Sequence, residues 1–249
     1  MKPLKPLDAA WLAIDSREMP MQVGCLAIFS LPERNSPGFL RKLVEKFRAT
    51  RQFTAPFNLR LAHPALRKLL PAWQIDTQID LDYHFRHSAL PQPGGERELG
   101  VLISRLHSNA MDFNRPLWEC HLIEGLAERR FALYMKMHHS LIDGIGGMRL
   151  LARTLSPDAD SRHLVAPWSV QADSKPRAAS LASPIEAALG MARQQAATLP
   201  GVTRAIGDLV REAVRHESPD WALPFTGPSS VLNGRVSGQR RFATQHYSL

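Results

Sequence analysis

Cysteine is nearly missing from this sequence: Cys25 and Cys120, far apart in the chain, are the two present in 249 residues. They make neither a disulfide framework nor a paired-cysteine zinc site, and a reducing compartment fits that usage best. Long hydrophobic runs are lacking as well. The longest, Val23 to Leu31, is interrupted by Ser30 and falls short of the roughly 20 residues that a membrane-spanning helix needs, so no such helix is expected. The stretch from Met1 to Asp8 carries charges and Pro3 and Pro6 where a signal peptide needs an unbroken apolar core, so no export signal is expected. A Gly-x-Ser-x-Gly nucleophile elbow does not occur. In Gly144-Ile145-Gly146-Gly147 the third position of a dinucleotide fingerprint falls on Arg149, which argues against a Rossmann site. No repeat of solenoid length is found.

What is present is a globular composition, 44% hydrophobic and 22% charged. Lys and Arg (31) outnumber Asp and Glu (23), giving a net charge of +8. That excess suits an anionic lipid surface, a phosphate-bearing small molecule or a nucleic acid. The basic residues are scattered, with arginine doublets at Arg129-Arg130 and Arg240-Arg241 and no zinc-finger, basic-zipper or RNA-binding motif, so nucleic acid is not an expected partner.

Periodicity indicates a mixed α and β chain. Gln22 to Leu31 reads as a strand, and Ser36-Pro37 reads as the start of a helix with its apolar stripe on Phe39, Leu40, Leu43, Val44 and Phe47. The proline- and aromatic-rich segment from Phe53 to Leu90 offers one strand, around Asp82 to His87. Glu98 to Met111 returns to helical spacing. Leu117 to Glu124 and Phe131 to His138 form a hairpin, in which Phe131, Leu133, Met135 and Met137 alternate with Ala132, Tyr134, Lys136 and His138. A glycine-rich loop and a helix from Met148 to Leu155 follow. Ser156 to Ser183 reads as a linker, then two amphipathic helices begin at Ser183-Pro184 and after Pro200-Gly201, and Arg240 to Leu249 reads as a strand. Cys25 and Cys120 sit within apolar strands and are expected in the core.

The segment His138-His139-Ser140-Leu141-Ile142-Asp143-Gly144 concentrates the chemistry. Adjacent side chains on a strand point to opposite faces, so one imidazole can enter a cleft while the other is held by packing. That divergence argues against a shared metal ion, and no metal is expected. An imidazole with an ordinary pKa near 6.5 is suited to take a proton from an alcohol. Equally, two histidines can simply end a strand, with Asp143 and Gly144 shaping the turn.

Four stretches read together settle that choice: Pro6-Leu7-Asp8-Ala9-Ala10-Trp11 with Pro20-Met21-Gln22-Val23-Gly24; Pro116-Leu117-Trp118-Glu119 continuing through Leu122 to Leu126; His138 to Leu151; and Leu232-Asn233-Gly234 with Ser237 to Arg241. In this order they resemble the amino-terminal half of the wax ester synthase/acyl-CoA:diacylglycerol acyltransferase family, within the chloramphenicol acetyltransferase-like superfamily. The resemblance implies an α/β (α+β) fold, a mixed sheet flanked by helices, then a helical linker, with the second domain missing. Residues 1–155 would form the acyltransferase domain, 156–230 the linker, and 231–249 the start of a crossover. It implies an enzyme transferring a long acyl chain from acyl-CoA to diacylglycerol or a long-chain alcohol. His139 would be the general base, His138 a supporting residue, Asp143 a structural residue that orients the motif, and Gly144 the turn; Gly146 and Gly147 would let substrate approach, or else serve close helix packing. No cofactor is implied, since acyl-CoA is a substrate. Partners would be a membrane or lipid-body surface and a complementary carboxy-terminal half, with the protein cytoplasmic and peripheral to the inner membrane. The alternative is an inactive half-enzyme that binds lipid or that complementary half. Gln22 stands where the family commonly has histidine and is given no catalytic role.

Overall fold

The computed structural model describes residues 1–32, 38–158, 161, 164–170 and 237–244. The helices expected after Ser183 and Pro200, most of the linker, and the Ser36-Pro37 helix start lie outside these residues. In chain order the elements are β1 (Lys2–Pro3), α1 (Pro6–Ile14), β2 (Gln22–Ser30), α2 (Phe39–Ala49), β3 (Leu59–Leu61), β4 (Ala72–Ile75), α3 (Leu81–His84), β5 (Phe85–Ala89), α4 (Glu96–Ser108), β6 (Trp118–Leu126), β7 (Arg130–His138) and α5 (Gly144–Thr154).

The hairpin of β6 and β7 is the centre of a four-stranded mixed sheet in the order β2-β7-β6-β5. β2 and β6 flank β7 antiparallel, with Cys25 and Cys120 both opposite Met135, while β5 runs parallel to β6. The two faces of β7 are covered by different helices. Phe131, Leu133, Met135 and Met137 join Leu43, Val44 and Phe47 of α2 and Leu150 of α5, whereas Ala132 and Tyr134 pack on Leu99, Leu102, Ile103 and Leu106 of α4. The result is a three-layer α/β/α arrangement whose inner strands are buried on both sides. A smaller sheet, β1-β4-β3, shares a third cluster with α1 through Leu12, Leu61, Trp73, Met111 and Leu117.

The two most deeply buried indoles are satisfied: Trp118 Nε1 donates to the Phe57 carbonyl at 2.8 Å and Trp168 Nε1 to that of Thr50 at 2.9 Å. Lys136 is fully buried within 3.3 Å of Glu119 Oε2, and its Nζ donates to the carbonyls of Leu106 (2.8 Å) and Asn109 (3.0 Å). Gln22 donates to the carbonyls of His107 and Asn109. Together these two side chains satisfy the carbonyls at the end of α4 that a helix leaves unpaired, which gives Gln22 a structural role.

Several expectations are corrected. Asp82 to His84 is not strand but the single turn α3, capped by Asp80 Oδ1 on the Tyr83 N–H at 3.2 Å, and extended pairing begins at Phe85. The helix expected over Glu98 to Met111 ends at Ser108, and α5 starts at Gly144, ahead of Met148. α2 is capped by Gly38 at φ +94°, a conformation that suits glycine. Cys25 is exposed, because β2 is an edge strand whose Cys25 side is left uncovered, while Cys120 is buried as expected. Residues 240–244 are irregular and lie along α4, where serine hydroxyls replace a strand partner: Arg240 N donates to Ser108 Oγ at 2.8 Å and Phe242 N to Ser104 Oγ at 2.7 Å.

Candidate active site

β7 delivers the histidine pair to the end of the sheet, and the pleat sends the two rings in different directions. His138 turns inward and is 2% exposed. Its Nδ1 accepts from the Ser140 N–H at 3.1 Å and lies 2.7 Å from Ser140 Oγ, so the ring proton sits on Nε2, which faces Asp15 Oδ2 at 3.5 Å. Asp15 in turn accepts from the Met21 N–H at 2.8 Å. Burial pushes the Asp15 carboxyl up, but its interactions with His138 and the Met21 amide outweigh this and hold it below the usual carboxylate range. His138 thereby ties the end of β7 to the end of α1.

His139 turns the other way, into a cleft. Its amide donates to the Met21 carbonyl at 2.8 Å, and its ring stacks on Trp11 at 4.0 Å between centroids and 22° between planes. Nδ1 is enclosed with no hydrogen-bond partner among the described residues, which leaves Nε2 as the nitrogen presented to the cleft. Asp143 caps α5: its Oδ1 accepts from the Gly146 N–H at 2.6 Å. Asp8, one helical turn before Trp11, is held above the usual carboxylate range by burial, with Lys5 opposing and Asp143 adding to the shift.

The cleft has a volume of about 540 Å³ and lies between β2, β7 and α5. Val23, Phe29, Met135, Met137, Leu150 and Leu151 contribute to an almost wholly apolar wall, with His139 and Asp143 as its ionisable groups beside the Cys25 thiol. Cys25 is exposed to the cleft, yet its apolar lining partly desolvates the thiol and pushes it up, toward its protonated form. From Val23 to Phe29 the wall runs six residue steps along the strand, about 20 Å. Such a slot suits an extended hydrocarbon chain with a reacting group at the histidine end.

Of the residues singled out in the sequence, His139, Asp143, Gly144 and Gly147 line this cleft, whereas His138 and Gly146 stand behind it. Gly144 does not form the close turn expected of it. It has no positive φ, and a Cβ there would meet nothing within 4 Å. Gly147 is equally open among the described residues, and its lack of a side chain widens the cleft there. At Gly146 a Cβ would come within 2.9 Å of Asp143 Oδ1, so glycine there protects the helix cap. Sequence reasoning gave no role to Asp8, Trp11 or Asp15. Their spacing of three and four residues on one helical face was the available signal.

The fold defined by this sheet, with a histidine pair ending its central strand at an apolar cleft, is that of a solved wax ester synthase/diacylglycerol acyltransferase from Marinobacter aquaeolei VT8. The TM-score is 0.72 at 36% identity, covering 96% of this chain and 51% of that one. The wax ester synthase/diacylglycerol acyltransferase catalytic domain model matches residues 4–249, and the chain belongs to that family. It is 38% identical over 254 residues to the O-acyltransferase WSD of Acinetobacter baylyi, covering 100% of this chain and 53% of that protein. A probable diacylglycerol O-acyltransferase of Mycobacterium tuberculosis is 41% identical over 246 residues, covering 99% of this chain and 53% of its own. The chain thus spans about half the length of the curated relatives it matches.

Proposed function

We propose that this chain carries the base and the acyl-chain cleft of an acyl-CoA-dependent O-acyltransferase acting on diacylglycerol or a long-chain alcohol. The observation that carries the reading is His139, with Nε2 toward the end of a long apolar cleft and its ring held by Trp11. The acceptor hydroxyl gives its proton to Nε2 as its oxygen attacks the thioester carbonyl. The tetrahedral intermediate then expels CoA by breaking the C–S bond, and the imidazolium returns the proton to the leaving thiolate. No covalent acyl-enzyme is needed. Asp143 supports the step by fixing the start of α5 beside His139, and His138 by anchoring the strand end through Asp15.

Either acceptor, diacylglycerol or a long-chain alcohol, is an apolar molecule that resides in lipid, which favours work at a membrane or lipid-body surface. No helix among the described residues is long and apolar enough to cross a membrane. A second reading, a half-enzyme completed by a carboxy-terminal polypeptide, draws on the coverage of about half of each relative. In either case no redox or metal cofactor enters the chemistry.

The test is thiol release from palmitoyl-CoA with hexadecanol or diacylglycerol, with the ester product identified and both proteins shown to be folded. His139→Ala is expected to lose at least about a hundredfold in kcat, the lower end of what a general base supplies. Equal turnover in both proteins would eliminate His139 as the base. Turnover in neither would favour the half-enzyme reading, for which restored activity on adding a carboxy-terminal half is the decisive result.

A further inference from the structure

Helix α1 is apolar on nearly every side, and its two faces have different surroundings. Inward, Leu12 is fully buried and Trp11 stacks on His139. Outward, Leu7 and Ile14 are 67% and 51% exposed, with Ala10 and Ala13 exposed beside them. A helix apolar all round normally has a nonaqueous neighbour on each face. The next segment extends this surface. Lys68 Nζ donates to the Asp15 carbonyl at one end of α1 at 3.1 Å, and the Pro71 carbonyl accepts from the Leu4 amide at the other end at 3.2 Å. Leu69 and Leu70, 70% and 47% exposed, therefore lie alongside α1 between these two anchors. Exposed Lys2 and Lys5 precede α1 in the chain, exposed Arg17 follows it with the exposed acid Glu18, and exposed Lys68 directly precedes Leu69.

We propose that the outer face of α1 and the Leu69-Leu70 segment form a docking surface for anionic lipid headgroups, with the leucines entering the acyl layer. The assignment of lipid as substrate source rests on the acyl-transfer reading; the surface itself rests on exposure and charge. Charge complementarity selects the occupant, because the cations match an anionic bilayer, whereas a second copy would bring like charges together. Docking there leaves the Trp11-His139 stack a single helix diameter, about 10 Å, from the lipid. An acceptor with an apolar tail then has a short path to the base.

Sedimentation of the full chain with phosphatidylcholine vesicles, with and without phosphatidylglycerol, tests the proposal. The wild type is expected to pellet with the anionic vesicles and to remain largely in solution with phosphatidylcholine alone. Leu69→Asp/Leu70→Asp, and separately Leu7→Asp, should weaken partitioning at least about tenfold. Removing the charge of Lys2 or Lys5 should weaken it about fivefold each. Val101→Asp, on exposed α4 surface, should bind as wild type. Circular dichroism and thermal melts establish that each variant is folded. Unchanged partitioning of Leu69→Asp/Leu70→Asp overturns the proposal, as does equal loss in Val101→Asp or a wild type that ignores anionic vesicles. A wild-type dimer that Leu69→Asp/Leu70→Asp dissolves overturns it too, in favour of a second copy. The readout needs no turnover: His139→Ala should sediment as wild type, so failure of the docking surface and failure of the acyl-transfer reading are separately visible.

Discussion

The base proposed at His139 needs its ring held toward the acceptor hydroxyl, and an indole is the group placed to hold it. Trp11 covers one face of His139 at 4.0 Å, and the enclosed Nδ1 leaves the ring little other support. Trp11→Ala should lower kcat by about fivefold with little change in KM, since stacking of this kind contributes about 1 kcal/mol beyond the area it buries. Trp11→Phe should recover most of the loss, and an unchanged kcat in Trp11→Ala would remove the positioning role. His138 differs from its neighbour in being a purely internal residue. Asp15→Ala strands both His138 Nε2 and the Met21 amide, and urea unfolding should register a loss of about 2–4 kcal/mol. The motif itself was legible in the sequence, as was the divergence of the two rings. The partners Asp15 and Trp11 were not, because they come from an element more than a hundred residues earlier whose register against the motif no local pattern encodes.

Among the elements, α4 carries a test with an unusual sign. Replacing a glycine inside a helix by alanine ordinarily stabilises it by about 1 kcal/mol. At Gly100, however, a Cβ would stand 2.7 Å from the Phe242 carbonyl oxygen. Gly100→Ala should therefore displace residues 237–244 from α4. Faster hydrogen exchange at the amides of Arg240 and Phe242, which the hydroxyls of Ser108 and Ser104 hold, is the measurement, and unchanged protection would contradict the contact. The same segment shows where pattern reading stops. Its alternation reads as strand, yet its amides are met by serine hydroxyls on a helix. The hairpin of β6 and β7 and the stripes of α2 and α4 were legible because burial repeats along them with a period of two or 3.6 residues. α1 was missed because it is apolar on both faces and so carries no stripe. β3 and β4 were missed because strands of three and four residues are defined by their mutual pairing, which lies outside either segment.

At the scale of the molecule, buried titratable groups set how the fold responds to acid. Burial holds His84 below its ordinary 6.5, with the Trp118 carbonyl opposing, and holds His107 below it with Lys136 and Arg240 adding. Below about pH 6.5 the unfolded chain therefore binds protons that the folded chain does not, and stability falls as pH drops through this range. A second stage follows. Burial raises the Glu119 carboxyl, but the hydrogen bond from His121 and the charge of Lys136 outweigh it, so that, like Asp15, it lies below the usual carboxylate range. The stability these two supply is complete above the ordinary carboxylate values near 4 and is lost as pH falls through their lower folded values. Asp8, shifted the other way, offsets part of this loss. Thermal melts across the acid range should thus show Tm declining between pH 7 and 5 and again below about pH 4. His84→Phe keeps a ring against Trp118 while removing one of these two imidazoles, so the upper decline should shrink and the lower should persist. A Tm constant from pH 7 to 5 in the wild type would mean that these histidines accept protons without loss of the fold, and that the layers packed on β6 and β7 open readily enough to hydrate them.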